Sequence, residues 1–118
     1  MSRRDYTIFL KDILTSADKI LRYVKDKSYE GFTGDEVLID AVIRNLEIIG
    51  EAVKNIPAKV RRRYSGVEWK KIAGLRDILI HKYSAVDYEI LWDIITNKVP
   101  ELKNQICCIL KEEKDGWW

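Results

Sequence analysis

The segment between Arg76 and Tyr83 combines side-chain types that suit chemistry on a phosphodiester. His81 is the only histidine among the 118 residues, and an imidazole can take up and release protons near neutral pH. Arg76 carries a permanent charge whose planar fork matches phosphate oxygens. Asp77, four residues before His81, could accept the imidazole N–H and fix its tautomer. These residue types at this spacing indicate proton transfer beside a bound phosphate.

A single regular helix would not bring Arg76 and His81 together. At about 100° per residue, His81 lies about 140° around the helix from Arg76, whereas Tyr83 lies within about 20° of it. Two arrangements resolve this. The helix ends near Ile80 and lets His81 swing round, or two copies meet so that one subunit's arginine faces the other's histidine. The second arrangement predicts a homodimer with composite sites. Periodicity alone is more typical of a surface histidine or a cap at a helix end.

Composition indicates one folded domain over residues 1–118. Hydrophobic residues make up 47% and charged residues 34%, which excludes a disordered chain. No apolar run approaches the roughly 20 residues that span a membrane, and the N-terminus lacks a signal-peptide core. The adjacent pair Cys107 and Cys108 offers neither a disulfide framework nor a thiolate metal cage. We therefore expect a reduced, cytoplasmic protein, with no metal or cofactor.

Apolar periodicity predicts an all-α up-and-down bundle of four to five helices. The first helix is expected over 4–26, the second over 35–55, the third from Trp69 through the motif, and the fourth over 87–114. Residues 28–34 are predicted as a turn, and 57–64 as a short helical or irregular connector. Thr33 or Asp35 could cap the second helix, and Asp87 the fourth. Pro100 interrupts an apolar stripe that stays in phase, which predicts a long, kinked C-terminal helix.

Three blocks of the sequence resemble the HepT-like branch of the HEPN superfamily. The first spans 44–52, the second spans 69–83, and the third combines 91–92 with 100–102. The family's signature is an arginine, four residues, a histidine, any residue and a tyrosine. It is complete here in Arg76, His81 and Tyr83. The resemblance covers about residues 4 to 110, which is nearly the whole chain.

This resemblance implies a dimeric HEPN-like helical bundle whose motif helices face each other in a cleft. It implies a metal-independent endoribonuclease that acts as the toxin of a toxin–antitoxin pair. The implied partner is a minimal nucleotidyltransferase antitoxin, which transfers AMP to the motif tyrosine, Tyr83. The position after the motif arginine is often asparagine in the family and is Asp77 here. Both side chains can accept a hydrogen bond, so the role can persist with a changed charge.

RNA cleavage without a metal uses the substrate's own 2′-hydroxyl as nucleophile. We assign proton transfer to His81 and phosphate stabilisation to Arg76, with Asp77 and Tyr83 in supporting roles. A basic rim could bind RNA or be an ordinary solvated surface. Its members are Lys59, Arg61, Arg62, Arg63, Lys70, Lys71 and Lys82. Asn45, at the edge of an apolar face, is predicted to bond across helices.

Two other functions fit the same residues. A HEPN-like bundle can serve as the nucleotide- or substrate-binding partner of a nucleotidyltransferase, in which case Arg76 holds phosphate and no RNA is cut. A dimerisation scaffold with a vestigial motif is the third possibility, and the intact motif argues against it.

Overall fold

The computed structural model describes residues 3–75 and 87–115, and this part of the chain is helical without strands. Its elements are α1 (Arg3–Val24), α2 (Tyr29–Thr33), α3 (Glu36–Lys54), α4 (Ala58–Arg63), α5 (Trp69–Ala73), α6 (Tyr88–Asp93), a π-helical segment (Ile94–Lys98) and α7 (Val99–Asp115). The predicted all-α fold is confirmed. None of these helices is both long enough and apolar enough to cross a membrane.

The long helices α1, α3 and α7 surround one hydrophobic core, with α1 packed along both of the others. The apolar positions that recur at three and four residues are the ones that are buried. Members with almost no exposed surface include Leu10, Ile13 and Ile20 of α1, Val42, Leu46, Ile49 and Val53 of α3, and Ile106 of α7. Burying each such side chain contributes about 1.5–3 kcal/mol. The predicted stripes are therefore the ones that hold the bundle together.

Aspartate caps fix the starts of two helices where they were predicted. The carboxylate of Asp35 accepts a hydrogen bond of 3.0 Å from the backbone N–H of Leu38. The carboxylate of Asp87 accepts bonds from the N–H groups of Glu89 and Ile90 at 2.9 and 3.2 Å. Such caps are worth about 1 kcal/mol each, because the first N–H groups of a helix have no partner within it.

The predicted turn over 28–34 is wrong, because α2 is a one-turn helix there. Ser28 caps it by accepting a bond of 3.0 Å from the N–H of Gly31. Phe32 anchors it, fully buried and with its ring centre 5.2 Å from that of Trp92. A helix of five residues is too short to show a 3.6-residue period, so pattern alone could not reveal it.

The C-terminal helical run passes through Pro100 by way of the π-helical segment. A proline inside an α-helix removes one N–H and crowds the carbonyl four residues earlier, here that of Thr96. Hydrogen bonds in a π-helix span five residues, and the N–H of Val99 reaches the carbonyl of Ile94. Ile95 and Leu102 are buried on the two sides of the interruption. The expected interruption is confirmed, and it lies in the turn that precedes the proline.

Candidate nucleic-acid interface

The predicted catalytic motif lies outside the residues that the structure describes. This holds for Arg76, Asp77, His81 and Tyr83, and for Lys82 of the predicted basic rim. The described chain stops at Leu75 and resumes at Asp87. The described elements that flank the motif in the sequence are α5 and α6.

The helix expected to run from Trp69 through the motif ends at Ala73. Gly74 follows it with φ −78° and ψ −10°, and its N–H bonds to the carbonyl of Lys70 at 3.1 Å. Ile72 and Leu75, two members of the predicted stripe, are half-buried against the core. The part of the expected helix that carries the motif lies outside the described residues.

Helices α4 and α5 and the turn that joins them, which we call the α4–α5 segment, are anchored by apolar residues. Val60 of α4 and Trp69 of α5 are buried, with Trp69 only 6% exposed. The indole N–H of Trp69 donates a bond of 2.9 Å to the carbonyl of Tyr64 in the connecting turn. A buried indole requires such a partner. This bond ties the start of α5 to the end of α4.

The α4–α5 segment also contacts α7 at two places. The Glu113 carboxylate, 6% exposed, pairs with the Arg63 guanidinium at 3.3 Å and accepts a hydrogen bond of 3.1 Å from the Tyr64 hydroxyl. Further along α7, the Gln105 side-chain amide donates to the carbonyl of Gly66 at 3.2 Å. Burial, with an added contribution from the charge of Glu112, raises the pKa of Tyr64. The hydroxyl therefore remains a donor through neutral pH.

Four of the predicted basic side chains line one groove between α4 and α5, which we call the α4–α5 groove. They are Arg61, Arg62, Lys70 and Lys71, and the groove has a volume of about 680 Å³. Arg63 does not join them, because its guanidinium is held by Glu113. Lys59 is exposed but lies outside the groove lining. The predicted rim is thus a narrower set of charges than the sequence suggested.

Sequence reasoning missed Glu68, an acidic residue within this basic surface. Its carboxylate pairs with Lys71 at 2.8 Å and with Lys98 at 3.6 Å, which joins α5 to the π-helical segment. The hydrogen bond from Lys71, reinforced by the charges of both lysines, lowers the pKa of Glu68, and the same bond raises the pKa of Lys71. The i,i+3 spacing of Glu68 and Lys71 was the available signal.

A second groove, the α3–α5 groove, connects the basic surface to the last residue before the motif. It has a volume of about 360 Å³. Its apolar part includes Leu46, Ile49, Ile72, Leu75, Val99 and Leu102, and its rim includes Lys70, Lys71 and Lys98. Lys70 and Lys71 therefore border both grooves. Leu75 directly precedes Arg76 in the sequence.

Asn45 is buried, and its hydrogen bond differs from the predicted one. The side-chain N–H donates to the carbonyl of Ala41 in the same helix at 2.9 Å, so the expected bond across helices is not the one formed. The side-chain oxygen is enclosed, and it accepts no hydrogen bond from the described residues, 3–75 and 87–115. In the same described ranges, no group of three His, Cys, Asp or Glu side chains could hold a metal ion.

The fold and surface define a helical-bundle protein with a basic groove, and an Arg–His–Tyr motif follows α5 in its sequence. The family model described as "Ribonuclease HepT-like" matches residues 13–109 of the chain. The chain belongs to this ribonuclease HepT-like family, which agrees with the resemblance to the HEPN superfamily. The motif residues all fall inside the matched range.

Three relatives support the same family. "Putative RNase TTE0752" of Caldanaerobacter subterraneus subsp. tengcongensis is 48% identical over 106 residues, which cover 90% of this chain and 95% of that protein. "Gamma-glutamylcyclotransferase and putative RNase MJ0434" of Methanocaldococcus jannaschii is 44% identical over 93% of this chain and 50% of its own length. "Probable ribonuclease HepT" of Thermococcus cleftensis is 38% identical, covering 87% and 94%. No solved structure matches the chain.

Proposed function

We propose that this protein is a metal-independent endoribonuclease and the toxin of a toxin–antitoxin pair. The observation that carries the proposal is the intact set of Arg76, His81 and Tyr83 inside the range matched by the ribonuclease HepT-like family. The relatives' names, each of which contains RNase or ribonuclease, support RNA as the substrate.

The proposed reaction is an attack by the 2′-hydroxyl of RNA on the adjacent phosphorus. His81 takes the proton of that hydroxyl, and its oxygen forms a new bond to phosphorus. The bond from phosphorus to the 5′-oxygen breaks, and the leaving oxygen takes up a proton, leaving a 2′,3′-cyclic phosphate. Arg76 stabilises the charge on the phosphorane, and Asp77 orients the imidazole. Proton transfer by His81 and charge stabilisation by Arg76 act at the same phosphate, so the two side chains must lie close together.

A homodimer is the assembly that we propose for this site. On one regular helix the two side chains would point about 140° apart. Two copies that meet at the motif could pair the arginine of one subunit with the histidine of the other. A mixture of Arg76→Ala and His81→Ala subunits tests this, because heterodimers would regain one complete composite site. Recovery of cleavage on mixing supports the composite site, and no recovery from mixed dimers contradicts it.

Cleavage of RNA in EDTA by the purified protein tests the proposed activity. The parent, with an unmodified Tyr83 verified by intact mass, is compared with His81→Ala and His81→Gln. General acid–base catalysis typically accelerates a reaction by about 10²–10⁴-fold. Both variants should therefore lose at least about 100-fold in cleavage rate while remaining folded. A matched control is Lys25→Ala, a change at an exposed residue in the turn that directly follows α1. Equal cleavage by parent and histidine variants would reject the catalytic role of His81.

We further propose that a cognate nucleotidyltransferase silences the toxin by transferring AMP to Tyr83. The tyrosine oxygen would attack the α-phosphorus of ATP and release pyrophosphate. The attached nucleotide would place negative charge and bulk beside Arg76 and exclude the RNA phosphate. Tyr83→Phe should escape silencing, while Tyr88→Phe, a change at an exposed tyrosine nearby in the sequence, should not. A modified protein that cleaves RNA at the parent's rate would contradict this regulation.

A further inference from the structure

Positive charge in this protein is concentrated on the α4–α5 segment. Six of the chain's 21 lysines and arginines lie between Ala58 and Lys71, against one of its 19 acidic residues, Glu68. The net charge of the whole chain is only +2. The remainder of the chain is therefore slightly acidic. A local field of this kind attracts a polyanion to one surface rather than to the whole protein.

Ion pairs within the protein account for only part of this charge. Arg63 is neutralised by Glu113, and Lys71 by Glu68. No carboxylate among the described side chains, those of residues 6–75 and 87–113, pairs with Arg61, Arg62 or Lys70, and all three line the α4–α5 groove. Three cations in one groove, with no counterion among those side chains, leave room for an external anion.

The groove offers charge without the means to read bases. Trp69 is its only aromatic lining residue among those described, and that side chain is buried with its N–H already bonded to Tyr64. Stacking platforms for bases need exposed rings. Contacts to phosphate position a nucleic acid but carry no sequence information. The groove therefore suits a sugar–phosphate backbone.

The position of the groove connects it to the motif. Lys70 and Lys71 line both the α4–α5 groove and the α3–α5 groove, which Leu75 also borders. Leu75 is followed directly by Arg76. We infer that Arg61, Arg62 and Lys70 bind the phosphate backbone of single-stranded RNA at nucleotides outside the cleaved bond. This inference rests on the proposed ribonuclease function, since it names how that site's substrate is held.

A salt series with an uncleavable ligand tests the inference. The probe is a 2′-O-methyl RNA of about 20 nucleotides, whose blocked 2′-oxygens cannot attack phosphorus. Affinity is measured for the parent, for Arg61→Gln/Arg62→Gln/Lys70→Gln, and for the control Lys11→Gln/Lys25→Gln/Lys27→Gln. The control removes the same charge from exposed lysines outside the groove. Single-strand binding loses about 0.7 in log–log salt slope for each phosphate contact. The log–log salt slope of the groove variant should therefore be smaller than the parent's by about two, and that of the control should be almost unchanged.

Equal salt slopes for the groove variant and the control would overturn the inference. An acidic protein surface would then be the alternative ligand of the groove. Circular dichroism checks that both variants are folded. Arg62→Gln alone, which should lower the slope by about 0.7, serves if the triple variant is not folded. Cleavage is measured separately, with parent protein and unblocked RNA. A slope difference without cleavage rejects the proposed ribonuclease function but supports RNA binding in the groove. Cleavage without a slope difference supports the function and rejects RNA binding in the groove.

Discussion

The hydroxyl of Tyr64 donates a hydrogen bond of 3.1 Å to a carboxylate oxygen of Glu113, a residue 49 positions later in the chain. Arg63, the residue before Tyr64, pairs with the same carboxylate. One buried acid thus ties the end of α4 to the end of α7. The groove that we assign to RNA begins on the same short helix, so this contact positions a binding surface through residues that do not line it.

Replacing Glu113 with glutamine should destabilise the protein. The amide can still accept from Tyr64, but the charged partner of Arg63 is lost from a side chain that is only 6% exposed. Removing one partner of a buried hydrogen-bonded pair costs about 1–3 kcal/mol. The lower end is expected, because the Arg63 side chain is 43% exposed and partly screened. Urea unfolding measures the change, with the exposed Glu101→Gln on the same helix as control. Equal free energies of unfolding for the two variants would contradict the contact.

Replacing Tyr64 with phenylalanine should change how stability depends on alkaline pH. The pKa of Tyr64 is raised by burial, so the folded protein holds the phenolic proton more tightly than the unfolded chain. The contribution of the hydroxyl is therefore complete below the unfolded pKa of about 10 and declines as pH rises above it. At pH 8 the parent should exceed Tyr64→Phe by about 1 kcal/mol in free energy of unfolding.

The quantity to measure is the difference in free energy of unfolding between the parent and Tyr64→Phe at each pH. Either protein alone would not suffice, since lysines also titrate above pH 10. Urea unfolding at pH 8, 10 and 11 gives that difference. A gap that narrows with pH supports the bonded, protonated hydroxyl. A gap that stays constant or widens would show that the hydroxyl is not a donor to Glu113.

Local chemistry made the helix starts predictable. Asp35 and Asp87 cap helices because a short acidic side chain can reach the N–H two or three residues ahead, and nothing distant is required. The buried stripes of the long helices were equally readable from their period. The helix at Tyr29–Thr33 was missed because its stability depends on Phe32 meeting Trp92, which lies far along the chain.

The basic surface was predictable as composition but not as a groove. The sequence grouped Arg63 with Arg61 and Arg62, yet Arg63 forms an ion pair with Glu113, 50 positions later. A tertiary contact of that separation leaves no local signal. Lys71 differs, since Glu68 lies three residues before it and the pair could have been read from spacing. Which cations remain for a ligand is thus decided by their partners.

Replacing Asn45 with leucine should raise the free energy of unfolding. The side-chain oxygen is enclosed and unpartnered within the described residues, while the amide N–H bonds only to its own helix. An unpaired buried acceptor costs about 1–3 kcal/mol, and an apolar group of similar shape removes that cost. Thermal unfolding of Asn45→Leu and Asn45→Asp measures it, with the aspartate expected to destabilise. A less stable leucine variant would show that the oxygen has a partner outside residues 3–75 and 87–115.

Replacing Glu68 with glutamine should strengthen RNA binding. Glu68 is the one acidic side chain among the described residues that line the α4–α5 groove, and it neutralises Lys71. Its removal frees that lysine for a further phosphate contact, which should steepen the salt slope by about 0.7. The control is Glu101→Gln, which removes the same charge from the lining of the α3–α5 groove only. If the two variants bind 2′-O-methyl RNA with the same slope, only net charge matters and the groove is not where the backbone lies. A steeper slope for Glu68→Gln alone places the added contact beside the lysines that Glu68 pairs with, Lys71 and Lys98.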